Sequence, residues 1–216
     1  DEIVRSYATV AARCIEGGFD GVELQCSHSS IVRGFLSPAT NHRTDGYGGD
    51  LDGALERLDH LVELGVTVLY HTPIFAAESN HRYDSSNFTQ VDPLLGGDAA
   101  YVRLIDAAHA RGIRVMGDLT SNHSGIAHEW FRAAHGNPDA AEGEFYYFSD
   151  AEHTQYETWL DATSLPKFNW NSAELRRRFI EGDDSVVAQW LKPPYGTDGW
   201  RIDVANMTGI HGDIHL

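Results

Sequence analysis

Apolar positions along this chain follow two periods in turn. Ile3, Val4, Tyr7, Val10, Ala11, Cys14 and Ile15 recur at helical spacing and end at Gly17-Gly18, which predicts a helix over 2–16. Phe19 to Leu24 (FDGVEL) reads as a strand. Leu51, Ala54, Leu55, Leu58, Leu61 and Val62 share one face of a second predicted helix, 51–64, with Gly65 as its stop. Val66 to Leu69 is a nearly continuous apolar run, the pattern of a strand buried on both faces of a parallel sheet. The unit repeats as a helix over 101–110, a stop at Gly112 and a strand over 113–116 that leads to Asp118. Helices near 172–180 and 185–191 follow, and a strand over 199–204 closes the series. Strands alternating with helices, four of them by this count, predict an α/β fold.

The polar residues on those strands are more telling. Arg201 and Asp203 lie two apart on a short strand otherwise made of Trp200, Ile202 and Val204, so both point to one face and form a buried charge pair there. The bland alternative is an Asp that caps the next helix and an Arg that neutralises it. Asp118 closes its strand in the same way, with Asn122 and His123 just behind it. H-R-Y-D, residues 81–84, follows the Val66 strand and adds Tyr83 and Asp84. Polar groups gathered at the carboxyl ends of several strands are how a (β/α) barrel builds a site. His71 reads as a neutral core histidine. His123, His128 and His135 lack the H-E-x-x-H spacing of a zinc site, and a solvated helix face accounts for the last two.

Composition narrows the partners. With 42% hydrophobic and 11% aromatic residues, 216 residues are enough for one globular domain. A formal charge of -16 repels phosphate backbones and anionic membrane surfaces, which excludes nucleic acid and membrane as partners. Asp1-Glu2-Ile3-Val4-Arg5 lacks the basic start and apolar middle of a secretion signal, so a cytoplasmic protein is expected. Cys14 and Cys26 read as reduced thiols rather than a disulfide framework. The chain has no initial Met and ends at Leu216 without turn chemistry, and it is expected to be a fragment.

Residues 48–216 resemble the α-amylase family of glycoside hydrolases, family 13, and most of all its cyclomaltodextrinase, neopullulanase and α-glucosidase branches. The motifs stand in family order: GDLDGALERLDHLVELGVTVLYHTPIF, SNHRYD, VDPLLGG, DLTSNH, LPKFN and GWRIDVAN. The resemblance implies a retaining glycosidase acting on α-glucosidic oligosaccharides, with a nucleophile and an acid/base carboxylate about 5 Å apart. Asp203 matches the nucleophile and Arg201 the arginine that holds it ionised. Tyr83 matches the ring beneath the sugar and His123 a contact to its hydroxyls, while Asp84 and Asp118 support the pocket. Asn122 corresponds to a calcium ligand of many members, though not reliably in this branch, and no metal is expected. The family's acid/base Glu and third carboxylate have no counterpart. The implied fold is a four-stranded partial (β/α)8 barrel with a B-domain-like lobe over 124–165, inactive alone and prone to self-association through its open edges.

Residues 1–47 resemble a different family, the flavin-dependent old yellow enzyme and 2,4-dienoyl-CoA reductase group, on GGFDGVEL, FLSP, NHRTD and YGG. Of that family's H-x-x-H only the second histidine survives, as His28, with Gln25 at the first position. FMN binding is not expected from so short a tract. Both families use a Tyr-Gly-Gly or similar turn before a barrel helix, and the two halves meet at Tyr47–Gly49. The join reads as a recombination, a designed fusion or an assembly error in the underlying DNA.

Overall fold

The computed structural model describes residues 2–18 and 50–211. The predicted strand over 19–24, Gln25, Cys26, His28 and the Tyr47–Gly49 turn lie outside the described residues.

Helix α1 (Glu2–Glu16) forms as the periodicity predicts, and Cys14 on it is a free thiol. The helix expected over 51–64 is two short ones, α2 (Leu51–Leu55) and α3 (Leu58–Glu63), because Arg57 leaves helical geometry at φ -105°, ψ 2°. Asp50 caps α2 by accepting from the Gly53 amide at 2.8 Å. Leu51 and Leu58 are the buried anchors of the pair. Strand β1 (Val68–Tyr70) leads through α4 (Gly97–His109) to β2 (Arg114–Thr120). Then come α5 (Glu129–Ala134), β3 (Thr158–Trp159), β4 (Ala162–Pro166), α6 (Ala173–Arg176), a π turn over Arg177–Glu181, α7 (Val186–Trp190) and β5 (Gly199–Asp203).

The main sheet has the order β1-β2-β5, with both pairings parallel. Tyr70 lies opposite Met116, Asp118 opposite Arg201 and Thr120 opposite Asp203. In-register partners share a face, so Tyr70, Asp118, Thr120, Arg201 and Asp203 all point inward. Outward-facing Val115 and Leu119 are fully buried against Tyr101, Leu104, Ile105 and Ala108, the apolar stripe of α4. Sequential parallel strands with a helix packed outside them form an arc of a (β/α) barrel. Three parallel strands are seen among the described residues where the sequence count is four.

Two expectations are corrected. Strand β1 is not buried on both faces: Val68 is 41% exposed, and Leu69 and Tyr70 are half-buried. The Arg201–Asp203 pair is only partly buried, with 43% of the Arg201 side chain exposed. The cause is the same in both. Each lies on an outer strand of the described sheet, and its inward face meets solvent.

On the outer face of β5, the Trp200 ring covers Gly117, its register partner, and donates from Nε1 to the Val187 carbonyl of α7 at 3.3 Å. A Cβ at Gly117 would come within 2.5 Å of that ring. Here a strand glycine provides the room that lets the sheet bury an indole.

The stretch over 124–165 is not one helix. It contains α5, a 3₁₀ turn over Ala141–Phe145 and the antiparallel β3–β4 pair, gathered around Phe131, Phe145 and Tyr146. His135 is exposed, but His128 is not on a solvated face. It is buried at the N-terminus of α5, where Nδ1 accepts from the Trp130 amide at 3.2 Å and the ring packs between Phe88 and Trp130. Burial pulls its pKa from 6.5 down to about 3.

Two outcomes follow from this packing. Gly117→Ala is expected to lower stability to urea by about 1–3 kcal/mol through overpacking, and most of that cost should vanish in a Trp200→Ala background. Equal costs in both backgrounds would contradict the contact. His128 is neutral when folded and binds a proton more readily when unfolded, so its contribution is complete above pH 6.5 and is lost as pH falls toward 3. By pH 5 the loss from this one group is about 2 kcal/mol. His128→Asn keeps a capping acceptor but cannot titrate, and urea unfolding at pH 7 and pH 5 should show a correspondingly smaller drop for it.

Candidate active site

The inward ends of the three parallel strands converge on one carboxylate. Asp118, with no exposed side-chain surface, accepts from the Tyr70 hydroxyl at 2.5 Å and from the Tyr83 hydroxyl at 2.8 Å, both at Oδ2. Nη1 of Arg201 reaches its two oxygens at 3.1 and 3.3 Å and also donates to Oδ1 of Asp203 at 2.5 Å. Strands β1, β2 and β5 and the loop after β1 therefore meet at Asp118. Burial, reinforced by the hydrogen bond and charge of Asp118, raises the Tyr70 phenol well above its ordinary value. Tyr83 moves the same way, through burial and then the Asp118 charge. For Arg201, burial acts to lower the pKa but is outweighed by the charge of Asp118 and by hydrogen bonds to Asp203 and Asp118, so the net shift is upward. Neutral phenols and a charged guanidinium are the states in which all three can donate.

The loop that carries Tyr83 has its own supports. Arg82 takes a left-handed conformation at φ 61°, and its Nε donates to Asp92 at 2.9 Å in an ion pair with both side chains buried. Asp92 also accepts from the Leu94 amide, which fixes the far end of the loop. Asp84 does not face Asp118. It accepts from the Ser79 amide at 2.9 Å, and the Ser79 hydroxyl makes a short bond to its other oxygen. Gly125, after β2, donates to the Ser85 carbonyl at 2.9 Å, and a Cβ there would lie 2.2 Å from the Asp84 carbonyl oxygen. Only glycine lets the two loops cross so closely.

His123 and Asn122 stand on the β2 side of this crossing, both buried. Asn122 Nδ2 lies 3.2 Å from His123 Nδ1, and the His123 ring stacks on Trp159 with centroids 5.7 Å apart. Burial lowers the His123 pKa to about 4, while the Tyr83 backbone and the Asp84 charge pull weakly the other way, so the ring is neutral at pH 7. Asn122 Oδ1 is a buried acceptor without a hydrogen bond. Among the described residues no cluster of three or more His, Cys, Asp or Glu side chains is placed to hold a metal ion.

The structure thus brings Tyr83, Asp118, Arg201 and Asp203 into one network, with Asn122, His123 and Asp84 beside it on the same rim. Sequence reasoning missed Tyr70, which an inward period of two from Val68 identifies once β1 is extended by one residue. It also missed the Arg82–Asp92 pair, for which the sequence holds no local signal. His71 is held as read: Nδ1 lies 2.8 Å from the Thr72 carbonyl and Nε2 2.8 Å from the Tyr101 hydroxyl, with its pKa lowered by burial.

Comparison with known proteins follows the same residues. A family profile described as the α-amylase catalytic domain matches residues 28–214, beginning upstream of the Tyr47–Gly49 turn. Neopullulanase 2 of Thermoactinomyces vulgaris is 37% identical over 167 residues, covering 74% of this chain and 28% of that protein. Among solved structures, the type III pullulan hydrolase of Thermococcus kodakarensis superposes with a TM-score of 0.68 at 32% identity, over 74% of this chain and 28% of that one. The debranching enzyme of Nostoc punctiforme gives 0.66 at 36% identity, over 75% and 35%. The chain spans under a third of the length of the curated relatives it matches. With its rim carboxylates, its strand order and the family match over most of its length in agreement, the chain belongs to the α-amylase family.

Proposed function

We propose that this chain carries the nucleophile half of a retaining α-glycosidase site for α-glucosidic oligosaccharides of the starch or maltodextrin type. One observation carries the reading: Asp203, at the inward end of β5, is gripped by Arg201, which is itself anchored on buried Asp118. A guanidinium against a carboxylate favours the ionised, nucleophilic form. Tyr83 is joined to Asp118 through its hydroxyl at the same rim, the place where the family resemblance puts a ring beneath the sugar. His123, neutral and buried, offers a hydrogen-bonding edge to sugar hydroxyls. The lobe over 124–165 is the counterpart of the family's small B domain, standing beside the rim. The α-amylase profile reaches back to residue 28, so a flavin-family reading is left with residues 1–27 alone, without the other strands that would hold FMN.

In a retaining mechanism Asp203 would attack the anomeric carbon while a second carboxylic acid protonates the leaving oxygen. The carboxylate nearest in the network, Asp118, is occupied by two tyrosines and Arg201 and is not free for that task. A positioned general acid contributes ~10²–10⁴-fold. The chain alone is therefore expected to be inactive on substrates that need leaving-group protonation.

Two assays test this. Purified chain should hydrolyse maltose, whose sugar alkoxide must be protonated to leave, no faster than its Asp203→Asn variant, and turnover near that of full-length relatives that disappears in Asp203→Asn would refute the inactivity. A 5-fluoro-α-glucosyl fluoride loses fluoride without a proton, so attack by Asp203 should leave a glycosyl ester on that residue, detectable by peptide mass. A label on another carboxylate, or none at Asp203, would contradict its role.

A further inference from the structure

The residue after Asp203 is held in an unusual conformation. Val204 has φ 49°, a left-handed value that a β-branched side chain disfavours strongly. Such strain persists only where surrounding bonds over-determine it, and it collects at functional positions. Here the bonds are visible. The Val204 carbonyl accepts from the Met207 amide at 2.9 Å and from the Thr208 hydroxyl at 3.3 Å. The Thr208 hydroxyl is also 2.9 Å from the Ser121 hydroxyl at the end of β2. The Thr208 hydroxyl thus stands between the Val204 carbonyl, which can only accept, and the Ser121 hydroxyl, with which it shares a hydrogen bond that either can donate. The Ser121 carbonyl is in turn fixed by the Trp170 indole N–H at 2.9 Å, and Met207 is buried beneath the turn.

From this geometry we infer that Ser121 and Thr208 are positioning residues for Asp203: a relay of two hydroxyls ties the strained turn after the carboxylate to the end of β2 and sets the direction in which the carboxylate points. The inference rests on the nucleophile reading of Asp203. Register places Thr120 opposite Asp203, so Ser121 is the first residue beyond that pairing, where the ladder no longer holds the two chains together. Without the relay, Val204 is free to return to an extended conformation, which frees the peptide after Asp203 at the last register pair of the ladder and loosens the carboxylate's hold on Arg201. Asp118 keeps its place in either case, because Tyr70, Tyr83 and its position within β2 hold it independently of the turn.

The experiment is a ¹³C-detected carboxylate titration of the full chain. Among the described residues, the charged and titratable groups around Asp203 include Arg201 on its own strand, Asp118 on β2 and Tyr83 on the loop after β1. Thr208→Val, nearly isosteric, should raise the Asp203 midpoint by about one unit through loss of the guanidinium contact, and leave Asp118 unmoved. Thr208→Ser should restore the original midpoint. Ser121→Ala removes the first link by a different residue and should shift Asp203 in the same direction. An unmoved Asp203 midpoint in folded Thr208→Val, or Asp118 and Asp203 shifting together, would overturn the inference; if Thr208→Val does not fold, Ser121→Ala decides by the same criterion. The titration uses no sugar, so a failed glycosyl-fluoride label with a selective Asp203 shift discards the glycosidase reading, whereas labelling without the shift discards only the relay.

Discussion

Burying the Asp118 carboxylate is the constraint around which the rim is organised. An ionised carboxylate removed from water costs several kcal/mol unless donors replace its hydration. Here two phenols and a guanidinium supply them, from β1, from the loop after β1 and from β5. Each donor is held at one end of its side chain by that requirement. Shifting any of the three parallel strands by one residue would turn its donor to the opposite face and strand the charge. The register of the sheet and the composition of the site are therefore one constraint. Arg201 extends it outward, because the nitrogen that reaches Asp118 also reaches Asp203.

The supports around that centre divide the work. The loop from β1 is long and irregular, and the Arg82–Asp92 pair takes the place of regular secondary structure in holding it. Gly125 lets the loop after β2 cross against the Asp84 carbonyl, so Tyr83 and His123 share a rim without belonging to neighbouring positions in sequence. Below the lobe, Phe88, Phe168, Phe179 and Trp190 form an aromatic core, and the Trp190 and Gln189 side chains both donate to the Phe88 carbonyl.

Much of this was legible in the sequence, for physical reasons. The two-residue spacing of Arg201 and Asp203 determines a shared face whatever the tertiary context, and Asp118 at the end of an apolar run has nowhere to go but the rim. The helices over 2–16 and 97–109 carry strong periodic stripes and form nearly as read. What was not legible depends on closure in three dimensions. The periodicity of 51–64 continues across Arg57, yet the backbone breaks there. His128 has a polar side chain and charged neighbours in sequence, but Phe88 from a distant loop buries it. The exposure of Val68 and Arg201 depends on what stands beside the sheet, which no local pattern encodes. Tyr70 was missed by a one-residue error in a strand end, the least certain feature of any pattern-based reading.

A double-mutant cycle between Tyr83→Phe and Asp118→Asn measures directly whether Asp118 binds the loop after β1 to the sheet, since both side chains are buried and solvent screening is slight. Urea unfolding at pH 7 of the four proteins should give a coupling energy of about 1.5–3 kcal/mol, the range for a hydrogen bond to a charged group. Additivity within about 0.5 kcal/mol would mean that the hydroxyl and the carboxylate are neighbours without being partners, and the account of the rim would fail.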